Sequence, residues 1–167
     1  LQVVWQVPQE RGQTEGSGET EGMTGPDGTI RTVYASDEFN QFFHDADKRV
    51  QSKLKFVIDV IQRVYEIPTK YVKKLVEYNL YEMRISTGYN EYRTILFAVD
   101  HENIIQSTKV ILLNSFLKKS NKDDKAQIRI AERIIKSMEY DTNRWREAEK
   151  APQHERVHGW EVWQSRD

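Results

Sequence analysis

Residues 80–119 read LYEMRISTGYNEYRTILFAVDHENIIQSTKVILLNSFLKK, and the fold turns on how this stretch pairs with itself. Gly88 and Tyr89, between Thr87 and Asn90, suit a two-residue hairpin turn with glycine in the first central position. A hairpin symmetric about that turn opposes residues whose numbers sum to 177, which sets Arg84 across from Arg93. Like charges directly opposite on a sheet cost stability. Keeping both therefore predicts an anion between them, unless the two long stems simply splay into solvent.

A third strand follows. Asp100-His101-Glu102-Asn103 is a polar turn, so Ile104 onward is expected to return antiparallel beside residues 92–99. A four-residue turn makes opposed numbers sum to 203, with Glu91 across from Leu112. On that register residues 114–119 (NSFLKK) leave the sheet at the end holding Arg84 and Arg93. Cations from three pieces of chain, including Lys118 and Lys119, are then expected to meet around one phosphate.

Working outward, residues 1–30 hold six of the eight glycines and carry one arginine against five acids. Such a segment buries too little apolar surface to offset chain entropy, so it is expected to be a disordered extension. Leu1 is not an initiator, which suggests a fragment, a processed product or upstream read-through, with Met23 as a candidate internal start. Trp5 and Val3-Val4 are its candidates for an apolar contact, although a mobile tail is the expectation. Order is expected from Arg31. Thr32 to Ala35 reads as a short strand, and Ser36 as a helix N-cap with Asp37 and Glu38 in the first turn. Phe39, Phe42, Phe43 and Ala46 recur at helical spacing, as do Val50, Leu54, Val57, Ile58, Ile61, Val64 and Tyr65. The run from His44 to Asp47 reads as a turn between two helices, and Pro68 is expected to stop the second near Ile67. Tyr71, Val72 and Leu75 suggest a short helical turn displaying Lys70, Lys73 and Lys74. After the sheet, Asn121 or Asp123 caps a last helix with Ile128, Ile130, Ala131, Ile134, Ile135 and Met138 on its apolar side.

The expected class is therefore α+β, a helical hairpin on a small antiparallel sheet, in the order β-α-α-β-β-β-α over residues 31–139. Residues 140–167 are expected to form a C-terminal extension, partly helical or disordered, with three of the four tryptophans, Trp145, Trp160 and Trp163. Residues 144–150 read as a continuation of the last helix up to Pro152. His154 and His158 have i,i+4 spacing without a convincing carboxylate partner, and His44 and His101 stand alone, so no metal site is implied. Zero cysteines exclude disulfides and thiolate ligands and fit a cytoplasmic protein. No apolar run exceeds five residues, so no membrane span is expected, and no secretory signal opens the chain. The net charge of −1 hides a middle, residues 31–139, with 19 Lys+Arg against 15 Asp+Glu. That balance attracts a polyanion modestly.

The segments LYEMRIS, EYRTILF and VILLNSFLKKS, followed by a helix containing Ala131-Glu132-Arg133, resemble the RelE/HigB superfamily of type II toxin–antitoxin toxins, nearest its HigB-like, phage-associated branch. The resemblance covers roughly residues 31–139. It implies a RelE-like, microbial-ribonuclease-like fold, an mRNA endonuclease acting in the ribosomal A site, and a cognate antitoxin, often a HigA-like helix-turn-helix protein. On this resemblance Arg84 and Arg93 are the catalytic arginines and Phe116, Lys118 and Lys119 match the phenylalanine-x-lysine-lysine motif. Asn114 and Ser115 stand where histidine and glycine are frequent, and Asn114 cannot transfer a proton. Ile30 stands where members typically begin with methionine.

RNA supplies its own 2′-hydroxyl nucleophile, so such chemistry needs neither metal nor cofactor. Lys118 or Lys119 is the candidate proton carrier, with Tyr92 a lesser partner. Lys70, Lys73, Lys74, Asn114, Phe116 and Lys122 are candidates for RNA binding. Two alternatives stay open: a ParE-like toxin of the same architecture that binds gyrase, and an inactive RNA- or antitoxin-binding module.

Overall fold

The computed structural model describes the backbone of residues 2–3 and 28–149, and side chains from Gly28 to Met138. The expectations for Trp5, Met23, Trp145, Trp160, Trp163, His154 and His158 concern side chains outside the described residues. Two compact units are defined, Leu1–Ala131 and Glu132–Asp167.

In the first unit, strands β2 (Thr32–Ala35), β3 (Val72–Leu75), β4 (Leu80–Thr87), β5 (Asn90–Ala98) and β6 (Lys109–Leu117) form one sheet. The two-residue β1 (Gln2–Val3) lies on its edge, giving the order β1-β2-β6-β5-β4-β3. Helices α1 (Asp37–Asp45) and α2 (Lys48–Arg63) separate β2 from β3, and α3 (Asn121–Glu149) follows β6. The α+β class holds. The sheet, however, is mixed rather than antiparallel, because β2 runs parallel to β6.

Both helix starts follow from their caps. The Ser36 hydroxyl accepts from the Phe39 amide at 3.0 Å, and Asp47 accepts from the Val50 amide at 2.9 Å. Phe39, Val50, Leu54, Val57, Ile58 and Ile61 turn inward and join Val33, Met83, Ile85, Leu96 and Leu112 in the main core. Burying a side chain of this kind contributes roughly 1.5–3 kcal/mol.

Helix α2 stops at Arg63, four residues earlier than the Pro68 signal predicts. The cause is Arg31. Its guanidinium donates to the carbonyls of Ile61 and Val64 (3.0 and 2.6 Å), Tyr65 (2.6 Å), Ile104 (3.0 Å) and Ile105 (2.8 Å). Those carbonyls are turned to the buried arginine, and Val64 and Tyr65 are exposed rather than continuing the apolar stripe.

Tyr71 to Leu75 is not a helical turn. Val72–Leu75 is an edge strand, antiparallel to β4, with Lys73 opposite Glu82 and Lys74 opposite Tyr81. The β4–β5 register is as read from the turn: Arg84 pairs with Arg93. Gly88 carries a φ of +62° while no non-glycine residue among those described is positive, the II′ pattern. The β5–β6 register differs, with opposed numbers summing to 209 up to Ile95 and 208 beyond it, across a bulge. Asp100 explains this. Its carboxylate accepts from the amides of Thr108 (2.9 and 3.0 Å) and Lys109 (3.1 Å) and from the hydroxyls of Ser107 and Thr108. Strand β6 therefore begins at Lys109, and Ile104 sits in a turn whose amide donates to the Tyr81 hydroxyl at 3.1 Å. Residues 114–117 accordingly stay within the sheet instead of leaving it.

In α3, Ile128 and Ala131 are buried within the first unit. In the second unit the helix continues to Glu149, with Ile134 buried and the Ser137 hydroxyl donating to the Ile134 carbonyl at 2.7 Å.

Candidate functional site: an arginine face at the open end of the sheet

Successive strand residues alternate faces, and this sorts the candidate residues. Tyr81, Met83 and Ile85 join the main core with α1 and α2. Glu82 and Arg84 therefore lie on the opposite face, as do Glu91 and Arg93 across the ladder.

The anion between the two arginines is the protein's own. Glu82 Oε1 accepts from Arg84 Nε at 2.8 Å and from Arg93 Nη1 at 2.7 Å, and Glu91 accepts from Arg93 Nη2 at 2.9 Å. Convergence of both arginines on an external phosphate is thus replaced by convergence on a carboxylate. The two guanidiniums also differ in exposure, since the Arg93 side chain is 7% accessible and that of Arg84 40%. Arg93 has both terminal nitrogens committed. Arg84 uses only Nε, and its terminal nitrogens have no partner among the described residues. The chain Arg93–Glu82–Arg84 holds one guanidinium buried and presents the other.

Arg84 and Arg93 line a groove of about 510 Å³ that also takes in residues of α2, beside the part of β4 past its pairing with β3. Its rim adds Lys53, Phe56 and Val57 from α2, Lys70 and Tyr71 before β3, and Glu91. The Lys53 ammonium donates to the Ser86 carbonyl.

Of the other expected residues, Lys70 joins this groove, whereas Lys73 and Lys74 are exposed on successive positions of β3. Phe116 is buried opposite Arg93. The Lys118 amide donates to the Glu91 carbonyl at 2.8 Å, which brings the lysine pair to the same sheet end. Its ammonium, however, pairs with Asp124 at 3.2 Å. Lys119 and Lys122 are exposed. Asn114 is buried opposite Ile95, its amide donating to the backbone and side-chain oxygens of Gln127 at 3.1 and 3.0 Å. It ties β6 to α3. Tyr92 is not brought to the arginines, because it packs on the helix side, edge-on to Phe42 at 6.1 Å.

Glu82, Glu91, Lys53 and Phe56 were not foreseen from the sequence. Glu82 had a local signal, two residues before Arg84 and so on its face. Lys53 and Phe56 reach the groove only through packing of α2.

The chain matches the family described as Phage derived protein Gp49-like (DUF891) over residues 41–136, more than half its length. It belongs to that family, one of RelE/HigB-type toxins of toxin–antitoxin systems, whose partner is an antitoxin. No curated protein and no solved structure matches. Among the described residues, no helix is long and apolar enough to cross a membrane.

Proposed function

We propose that this chain is a cytoplasmic mRNA endonuclease of the HigB-like, phage-associated branch, built on the RelE-like fold and acting on messages in the ribosome. Its cognate antitoxin, a helix-turn-helix protein in this reading, holds it inactive. The observation that carries the reading is the presented guanidinium of Arg84, fixed by Glu82 and Arg93 on the rim of a groove with Lys53 and Lys70.

In the reaction the RNA 2′-hydroxyl attacks the adjacent phosphate, its proton passing to water as the P–O5′ bond breaks and a 2′,3′-cyclic phosphate forms. The terminal nitrogens of Arg84 grip two of the phosphate oxygens as charge develops. Arg93 acts as a positioning residue through Glu82. Lys119, exposed and without an ion-pair partner among the described residues, carries the proton to the leaving 5′-oxygen. Lys118 is held by Asp124.

A second reading has one observation behind it. Buried Asn114 is committed to Gln127 and moves no proton, which favours an RNA-binding module without cleavage. Incubating the chain with programmed ribosomes and mapping mRNA 5′ ends separates the two. Cleavage is expected, and Arg84→Ala should lower its rate by on the order of a hundredfold, the usual loss of one transition-state charge contact. Binding without new 5′ ends supports the module. Undiminished cleavage by both Arg84→Ala and Lys119→Ala removes the roles given to these two residues, and no cleavage by the parent chain removes the enzyme assignment.

A further inference from the structure

We infer that the α2 side of the groove is a stacking platform for one unpaired base of a nucleic acid, formed by Phe56 and Tyr71 and flanked by Lys53, Lys70 and Arg84. This rests on the reading of the arginine face as an RNA-binding surface and adds to it a base-binding subsite.

Three observations meet here. Phe56 is 57% exposed on a helix whose neighbouring Val57 and Leu54 are buried, so its ring projects into the groove instead of the core. It stands edge-to-face with Tyr71 at 5.8 Å and 71°, a contact that orients the two rings while Phe56 stays more than half exposed. The Lys70 ammonium lies 4.8 Å from the centre of the Tyr71 ring, and Lys53 reaches Ser86 from the other wall. Cations on both sides of a half-exposed aromatic pair match a nucleotide, with its base on the ring and its phosphates beside the ammoniums. An acidic peptide would engage the cations and leave the rings unused. Stacking tolerates any base, so the platform adds affinity without selecting sequence.

The test uses the full chain and two fluorescently labelled single-stranded RNA oligonucleotides, identical except that one lacks a single internal base. The intact oligonucleotide should bind about tenfold more tightly than the abasic one, the range expected for one stacked base. Phe56→Ala should abolish that preference and Phe56→Trp should preserve it, with thermal melts of both variants matching the parent. Arg84→Ala should weaken both oligonucleotides equally. Equal binding of the two by the parent chain, or a preference untouched by Phe56→Ala, overturns the platform. So does binding of a polyglutamate peptide in place of RNA, which would assign the groove to an acidic protein segment. If the base preference holds but ribosomes yield no cleavage, the enzyme reading fails and the platform stands. If cleavage occurs while Phe56→Ala keeps the preference, the reverse follows.

Discussion

Arg31 and Arg93 are both buried arginines, and their surroundings are opposite in kind. Arg31 is met by five backbone carbonyls and no carboxylate. A guanidinium has five N–H groups, so the match is complete and nothing remains for a ligand. Two of the carbonyls belong to the last turn of α2 and its cap, where the helix dipole is negative. Burial pulls the Arg31 pKa below its ordinary value, and Tyr65 offsets part of that. Arg93 is met by Glu82 and Glu91, and Glu82 hands the arrangement on to Arg84, which has donors to spare. One cluster is saturated and closed, while the other is ion-paired inside, with the buried Arg93 Nε left over, and has free donors at its rim. A fold gains stability from the first kind, and chemistry needs the second.

That contrast can be broken by removing one group from each cluster. Arg31→Ala leaves five carbonyls facing a cavity, each costing about 1–3 kcal/mol if unpaired. Even after relaxation the loss should be on the order of 4 kcal/mol or more, against a typical net stability of about 5–15 kcal/mol. Arg31→Lys, with three donors in place of five, should recover only part. Urea unfolding followed by circular dichroism measures both, and an Arg31→Ala protein as stable as the parent would erase the distinction. Glu82→Ala strips the carboxylate from buried Arg93, a loss of roughly 3 kcal/mol for one partner of a buried pair. It should also free Arg84, so the proposed RNA cleavage should fall further than the folded fraction does. Stability loss alone, with the activity of the folded fraction intact, would make Glu82 purely structural.

Much of this was legible in local chemistry. The Thr87-Gly88-Tyr89-Asn90 turn fixes the hairpin register and hence the Arg84–Arg93 opposition. Ser36 announces α1, and the two apolar stripes announce the layer over the sheet. What was not legible depends on groups distant in sequence. Arg31 ends α2 from more than thirty residues away, and no signal near Arg63 reports it. β3 is four residues long with two lysines, too short for alternation to outweigh a helical spacing. The parallel pairing of β2 with β6 leaves no trace in either segment. Among the site residues, Arg84 and Lys70 could be chosen by type and position. Lys53 and Phe56 could not, since an exposed lysine and phenylalanine on an amphipathic helix are ordinary until a groove is seen beside them.

Asp100 offers the smallest effect and a check of a third anchoring style, in which a carboxylate instead of a cation gathers backbone groups. Burial pushes its pKa up, but the Ser107 and Thr108 hydroxyls and the Thr108 and Lys109 amides push it further down, leaving it well below the ordinary carboxylate range. A depressed folded pKa means that the ionised form stabilises the native state. The contribution is complete above the unfolded aspartate value of about 3.9 and is lost as pH falls below it. Asp100→Asn should therefore lower the melting temperature by a constant amount above about pH 5, with the gap closing toward about pH 2. The effect should be smaller than that of Arg31→Ala or Glu82→Ala, because the site is exposed and water can replace the lost acceptor. Other carboxylates titrate in both proteins and cancel in the difference. A gap that widens in acid would mean that the ionised carboxylate is not what fixes Lys109 as the start of β6, and the register would need another cause.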